Sequence, residues 1–177
     1  MNFCSNCGSD ALAFKVPEGD SFSRFICGNC QVIHYQNPRI IVGCVVLYQE
    51  QVMLCRRAIE PRYGLWNLPG GFMENGETVE QGAKRETFEE TNAEVEIIRL
   101  HSVYNIPHVN QVYLHFLAKM EKPYFTETSE SLEVQLFSES DIPWDDIAFS
   151  STSYSLQKYF QHKEEHKPPV HIGLFEK

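Results

Sequence analysis

The sequence predicts a protein of the α/β class that begins with a small β module. Apolar, β-branched runs of strand length alternate with turns, and one long stretch, Thr78 to Thr91, is composed of helix-favouring residues without proline. Two closely spaced cysteine pairs precede all of these elements. At 177 residues and 42% hydrophobic composition, the chain can bury one full core plus a small appendage.

The cysteine pairs are two C-x2-C turns separated by residues 8 to 26, and their members are Cys4, Cys7, Cys27 and Cys30. This spacing is typical of a zinc ribbon, in which four thiolates close a tetrahedral structural site. Two disulfides are the alternative, but the polar start of the chain has no export signal. A redox pair is disfavoured because no βαβ unit surrounds either turn. We therefore predict a structural Zn²⁺ without an open position for substrate, and His34 as a structural or surface residue.

We expect a zinc ribbon at residues 1–34 and a main domain at residues 35–177, with Gln31 to Arg39 as the connection. The ribbon strands are predicted at 11–16 and 21–26. A unit this short cannot build a sufficient core, so the metal supplies its folding energy. In the main domain we predict strands and one further helix at the following positions: strands 40–48, 52–57, 95–106, 111–120 and a strand within 125–137, a helix at 150–162, and a docked strand or dimer contact at 168–175.

The first helix carries a cluster of carboxylates. Thr78 and Gln81 are spaced as a capping box at its start. Glu86, Glu89 and Glu90 lie three and four positions apart and share a face, so they repel one another unless cations lie between them. Hard oxygen ligands favour Mg²⁺ or Mn²⁺. The alternative is a solvated acidic helix in which Arg85 pairs with Glu89 at i,i+4.

The surrounding spacing decides between these alternatives. Gly71, five residues, Glu77, seven residues, and then Arg85-Glu86-Thr87-Phe88-Glu89-Glu90-Thr91-Asn92-Ala93 resembles the Nudix box, G-x5-E-x7-R-E-U-x-E-E-x-G-U, where U is aliphatic. The preceding G-L-W-N-L-P-G-G is also similar to the family's usual lead-in. Thr87 replaces an aliphatic residue, and its hydroxyl can bond to the carbonyl of Ala83. Asn92 replaces glycine and tolerates the left-handed conformation that ends a helix.

The resemblance implies an α/β/α Nudix sandwich with a mixed sheet and hydrolysis of a diphosphate. It implies catalytic Mg²⁺ or Mn²⁺ held by Glu86, Glu89 and Glu90, with the carbonyl of Gly70 completing the metal shell. Arg85 is expected to brace Glu77 or Glu89. A glutamate of the loop at 125–137 is expected to serve as general base; Glu130 and Glu133 both match, and Glu133 is favoured.

The sequence predicts the substrate less directly, because the box binds the diphosphate and not the groups attached to its two ends. A zinc ribbon before a Nudix domain resembles the NADH pyrophosphatases, but their S-Q-P-W-P-F-P-x-S stretch has no match at Leu100 to Pro107. Residues from Tyr35 onward are more similar to the plastid Nudix diphosphatases of plants, which act on FAD and ADP-ribose: Y-Q-N-P-R, Y-G-L-W-N-L-P-G-G, E-S-L-E-V-Q-L-F and I-A-F-S-S. We therefore expect ADP-ribose or FAD as substrate, with release of AMP. NADH, a nucleoside triphosphate cleaved to pyrophosphate, and a non-catalytic nucleotide-binding module are the alternatives.

Other features limit the partners and the site. A net charge of -9 disfavours non-specific nucleic-acid binding, and no apolar run approaches the roughly 18 residues of a membrane span. We expect a reducing cytoplasm and a chain compatible with a homodimer. Arg56 and Arg57 alternate along one strand, so only one of them can face the cleft; either a phosphate-binding role or a surface charge fits each of them. Trp66 is predicted to pack in the core, and His101, His108 and His115 to be structural or peripheral.

Overall fold

The computed structural model describes residues 1–176, which divide into two units, Met1–Asn37 and the chain from Pro38 onward. In the first unit, β1 (Leu12–Lys15), β2 (Arg24–Cys27) and β3 (Ile33–His34) form an antiparallel sheet in that order. β3 lies in the segment predicted as a connection, since two residues are too few to show a period of two. The tight turns around the cysteines thus lead directly into or out of strands.

The second unit is built on an eight-stranded mixed sheet. Six strands follow the order β10-β5-β4-β9-β8-β11, β6 pairs with β5, and β7 pairs with β4. The β4–β9 and β8–β11 pairs are parallel and the other pairs of this sheet are antiparallel. The strands are β4 (Arg39–Tyr48), β5 (Gln51–Arg57), β6 (Trp66–Asn67), β7 (Gly70–Phe72), β8 (Glu96–Ile106), β9 (Gln111–Lys119), β10 (Ser131–Phe137) and β11 (His171–Leu174).

One helix covers each face of this sheet. On one face, Ala83 of α1 (Val79–Thr91) packs in a core with Val42 and Cys44 of β4. On the other face, Leu156 of α2 (Ser150–His162) packs with Val45 of the same strand. Because both faces are buried, β4 is apolar along most of its length, as its sequence indicated. The predicted α/β/α sandwich with a mixed sheet is confirmed.

The predicted ends of α1 are confirmed. The hydroxyl of Thr78 accepts from the backbone N–H of Gln81, and the Gln81 side chain accepts from the N–H of Thr78, at 3.2 and 2.8 Å. Asn92 ends the helix with φ of 55°, in the left-handed region that asparagine tolerates. The Thr87 hydroxyl donates to the carbonyl of Ala83 at 2.8 Å, so this departure from an aliphatic residue leaves no buried group unpaired.

The chain beyond β10 forms two single 3-10 turns, Glu139–Asp141 and Trp144–Asp146, before α2 begins. The tail docks as β11, which pairs in parallel with β8. Ile172 and Leu174 of this strand remain exposed. Within residues 1–176, no helix is both long and apolar enough to cross a membrane.

Candidate functional site

The first unit places its four predicted cysteine ligands together. The Sγ atoms of Cys4, Cys7, Cys27 and Cys30 all lie within 4.8 Å of one another. The Cys4–Cys30 and Cys7–Cys27 sulfur pairs are each 3.6 Å apart, and all four thiols are free. A tetrahedral zinc with bonds of about 2.3 Å separates its sulfur ligands by about 3.8 Å. The donor set therefore fits a closed structural Zn²⁺ site.

Hydrogen bonds favour the thiolate form at this site. The backbone N–H of Val32 and then the side chain of Asn6 lower the pKa of Cys30 to about 6, whereas burial raises the pKa of Cys4 to about 11. His34 lies against the cluster, with its Nε2 3.3 Å from the Cys4 sulfur. It is a neighbour of the ligands, since four sulfurs already complete a tetrahedron.

In the second unit, Arg85 organises the carboxylates of the box. Its guanidinium donates two hydrogen bonds to Glu77, at 2.8 and 3.0 Å, one to Glu86 at 2.7 Å and one to Glu89 at 2.9 Å. It also donates to the carbonyl of Phe72 at 3.1 Å. These bonds use most of the donors of one guanidinium. The role predicted for Arg85, bracing a box glutamate, agrees with this geometry.

Glu90 is the most buried box carboxylate. It keeps 5% of its surface exposed and accepts from the N–H of Gly70 at 2.9 Å and from the thiol of Cys55 at 3.5 Å. Burial raises its pKa to about 7. Burial also raises the pKa of the half-buried Glu86, against the lowering effect of Arg85. A divalent cation would stabilise the ionised form of both carboxylates.

The glycines that precede α1 allow these carboxylates to approach the sheet. A Cβ on Gly71 would clash with the carboxylate of Glu86, and one on Gly70 would lie 2.7 Å from the carbonyl oxygen of Val42. Cys44 N–H donates to Pro69, and Met73 N–H donates to Ile40. In an antiparallel ladder, successive residues of a strand point their N–H and C=O groups to opposite edges. The N–H and C=O of Gly70 therefore point away from β4, toward the side of Glu90. The Gly70 carbonyl as a metal ligand stays a prediction.

The two glutamates proposed as general base occupy different positions. Glu133 lies within β10, 3.8 Å from Arg56, and both side chains are about half exposed. Glu130 lies in the loop before β10, and its charge raises the pKa of Glu86. The choice between Glu130 and Glu133 as general base stays a prediction.

The remaining candidates lie away from these carboxylates. Trp66 packs edge-on against Phe137 in the core beside α2. His101 and His115 are buried and bond the carbonyl and the hydroxyl of Ser155, at 2.9 and 2.7 Å. The predicted core and structural roles agree with these contacts. Sequence reasoning did not identify the buried partners of Glu90, because Cys55 and Glu90 are 35 residues apart in the sequence.

The fold and these two donor sets define a zinc-ribbon protein with a second, carboxylate-based divalent-metal site of the hydrolase type. Two family profiles agree with this class: the NUDIX domain matches residues 37–157, and the Nudix N-terminal domain, a zinc ribbon, matches residues 2–36. The chain belongs to the Nudix hydrolase family. The residues therefore fit the family's catalytic Mg²⁺ or Mn²⁺ in addition to the structural Zn²⁺.

Three relatives place the chain within the family. It is 33% identical over 140 residues to the NAD-capped RNA hydrolase NudC of Photobacterium profundum, covering 75% of this chain and 49% of that protein. It is 37% identical over 73 residues to the ADP-ribose pyrophosphatase of Methanocaldococcus jannaschii, covering 41% of this chain and 43% of that one. A NUDIX hydrolase structure from Nitrosomonas europaea superposes with a TM-score of 0.94 at 50% identity over the full length of both chains. The chain spans about half the length of the curated relatives it matches.

Proposed function

We propose that this Nudix hydrolase cleaves the diphosphate of a dinucleotide of the NADH class, releasing AMP and a nicotinamide mononucleotide. The observation that carries the proposal is the similarity to NAD-capped RNA hydrolases in a chain that also has the family's zinc ribbon. This similarity supports the NADH alternative better than the ADP-ribose or FAD substrate that the local motifs favoured. Two grounds favoured ADP-ribose or FAD: the missing S-Q-P-W pattern at Leu100 to Pro107, most of which forms β8, and the four motifs from Tyr35 onward that resemble the plastid diphosphatases.

The residues divide the chemistry as follows. Glu86, Glu89 and Glu90 would hold the divalent ions, whose chemistry when bound would be to neutralise phosphate charge and to activate water. The oxygen of a water molecule attacks one phosphorus, the bridging P–O bond breaks, and the second phosphate leaves as a monoester. Glu130 accepts the water proton. Arg85 orients Glu77, Glu86 and Glu89 through the hydrogen bonds described above.

ADP-ribose is the second candidate substrate. The archaeal ADP-ribose pyrophosphatase is the relative that supports it, and the absence of the S-Q-P-W stretch does so as well. Both candidates contain an adenosine diphosphate and yield AMP, so the diphosphate chemistry is the same. They differ in the group beyond the second phosphate.

Product analysis separates these assignments. NADH, ADP-ribose, FAD, 8-oxo-dGTP and an RNA carrying a 5′ NAD cap are each incubated with Mg²⁺ or Mn²⁺, and products are resolved by ion-exchange chromatography. We expect AMP and reduced nicotinamide mononucleotide from NADH at the highest kcat/KM. A preference for ADP-ribose or FAD would return the assignment to the plastid-like class, and pyrophosphate from 8-oxo-dGTP alone would overturn both. Glu89→Gln serves as the inactive control.

A further inference from the structure

Arg57, at the carboxyl end of β5, is a buried guanidinium with most of its donors unused. It keeps 9% of its surface exposed. Its Nε donates to the carbonyl of Pro61 at 2.9 Å, and its guanidinium carbon lies 5.1 Å from the centre of the Phe149 ring. Among residues 1–176, this is its one side-chain hydrogen bond, and no carboxylate lies within 4.0 Å of it. A guanidinium has five N–H donors, so four remain on its two Nη atoms.

The strand directs Arg57 to the side of the sheet that carries the box. Side chains along β5 alternate between the two faces. Met53 packs in the core beneath α1, and the thiol of Cys55 contacts Glu90 of that helix. Arg57 follows on the same face. Arg56 lies on the other face, where it is exposed and bonds the carbonyl of Gly64 at 2.8 Å.

The positive charge of Arg57 has no ion-pair partner within 4.0 Å among residues 1–176. Its Nη atoms are not among the fully buried unpaired atoms of these residues, so they reach the surface of the site. A guanidinium held by one carbonyl, with its fork at the surface, is available to bind an anion.

A second polar group lies beside Arg57. Ser131 of β10 stands directly opposite Arg57 in the antiparallel register. Its Oγ is buried, and the thiol of Cys55 is its neighbour. Ser131 therefore adds a polar group beside Arg57 but does not by itself indicate a ligand.

We propose that Arg57 binds a non-bridging phosphate oxygen of the substrate through its free Nη groups. The proposal rests on the diphosphate chemistry proposed above and assigns to it a residue outside the box. The Pro61 carbonyl and the Phe149 ring hold the guanidinium in place before substrate arrives. Arginine suits this role because its planar fork matches two oxygens of one phosphate. Because the diphosphate is common to NADH and ADP-ribose, Arg57 contributes equally to both.

The test compares Arg57→Gln and Arg57→Lys with the matched control Arg56→Gln. We expect Arg57→Gln to lower kcat/KM for NADH and ADP-ribose alike by about 10- to 150-fold, the range for a hydrogen bond to a charged group. Arg57→Lys keeps the charge but not the planar fork, so its kcat/KM should lie between those of Arg57→Gln and the wild type. Arg56→Gln should stay within about twofold, because Arg56 faces away from the box. Turnover of Arg57→Gln equal to that of Arg56→Gln would overturn the proposal.

Chemical rescue distinguishes phosphate binding by Arg57 from a purely structural role in anchoring the loop at Pro61. Arg57→Ala leaves a space of guanidinium size, so millimolar guanidinium chloride should restore part of its turnover, whereas ethylammonium should not. No rescue in a variant that melts like the wild type would overturn the assignment. If the Gln and Ala variants do not fold, Arg57→Lys, which can still donate to Pro61, decides: wild-type kcat/KM in this variant would refute the role of the guanidinium fork.

Direct binding keeps this test independent of the substrate. ADP binding is measured by calorimetry with Ca²⁺ in place of Mg²⁺, and we expect about tenfold weaker binding in Arg57→Gln than in Arg56→Gln. If the wild type hydrolyses neither NADH nor ADP-ribose, the proposed function fails while this measurement still tests Arg57. Equal ADP affinities would refute the role of Arg57 even in an active enzyme.

Discussion

Arg85 and Glu77 form a two-bond ion pair, with Nε to Oε2 at 3.0 Å and Nη2 to Oε1 at 2.8 Å. The pair ties the loop before α1 to the second turn of the helix. The N–H of Glu74 also donates to Glu77, at 2.7 Å, so the loop is closed around this carboxylate. Glu77 is therefore a positioning residue, whereas Glu86, Glu89 and Glu90 present the oxygens proposed to hold the cations.

This pair predicts a pH dependence of stability. The bonds from Arg85 lower the pKa of Glu77 from its ordinary value to about 2. A lowered folded-state pKa means that the carboxylate stabilises the fold above its unfolded pKa and loses this effect as pH falls through the folded value. We expect Glu77→Gln to melt a few degrees below the wild type at pH 6 and the difference to vanish near pH 2. Glu80→Gln, on the exposed first turn, is the control, and an equal deficit at both pH values would contradict the prediction.

Glu90→Gln should stabilise the metal-free protein while abolishing turnover. Burial raises the pKa of Glu90 to about 7, so its ionisation costs stability as pH rises through that value. We expect Glu90→Gln to raise the free energy of unfolding at pH 8 without metal by up to about 3 kcal/mol. The same variant should lose Mg²⁺-induced stabilisation and at least about 100-fold in kcat. Denaturant unfolding with and without Mg²⁺ measures both effects. Retained Mg²⁺ stabilisation would remove Glu90 from the metal site.

Gly71→Ala should disable the site through a single methyl group. The added Cβ would occupy the space of the Glu86 carboxylate, which must then move from its position. We expect kcat to fall at least about 100-fold and Mn²⁺ affinity to weaken, since one ligand is displaced. Gly64→Ala is the matched control, because φ is +79° there but nothing lies within 4 Å. It should lose about 1 kcal/mol of stability and keep its turnover. Equal turnover in both variants would contradict the close packing at Gly71.

Glu130→Gln and Glu133→Gln should differ in turnover. Loss of a general base costs about 100-fold or more, and Glu130 is the residue whose charge acts on Glu86. Glu133 of β10 pairs with Arg56 of β5, so removing the Glu133 carboxylate should change kcat by less than about twofold. The reverse order of effects would restore Glu133, the residue that the sequence-based interpretation favoured.

Removal of zinc should affect the ribbon more than the chemistry. Cys30→Ser disrupts the four-sulfur site, and we expect loss of one zinc per chain by mass spectrometry and loss of amide protection within residues 4–34. Mg²⁺-dependent turnover should remain within a few-fold, with Ser5→Ala as the control. A folded variant without zinc and without turnover would show that the ribbon has more than a structural role.

Local signals predicted the elements that depend on local bonds. The capping box of Thr78 and Gln81 closes within three residues, and the helix end at Asn92 depends on one backbone conformation. The cysteine spacing was equally informative, because a zinc site constrains its ligands directly. By contrast, the two-residue strands β3 and β6 have no periodic pattern of their own and exist only because longer strands offer them hydrogen bonds.

The sequence by itself determined the family, the fold class, the cysteine ligands and the identity of the box carboxylates. Each of these depends on residue type and spacing along the chain. Only the tertiary structure decided that the Arg56 side chain is exposed and bonds Gly64, whereas that of Arg57 is buried against Phe149, and that Glu133 pairs with Arg56. Alternation assigns neighbouring residues of a strand to opposite faces, but which face meets α1 depends on packing between segments distant in sequence.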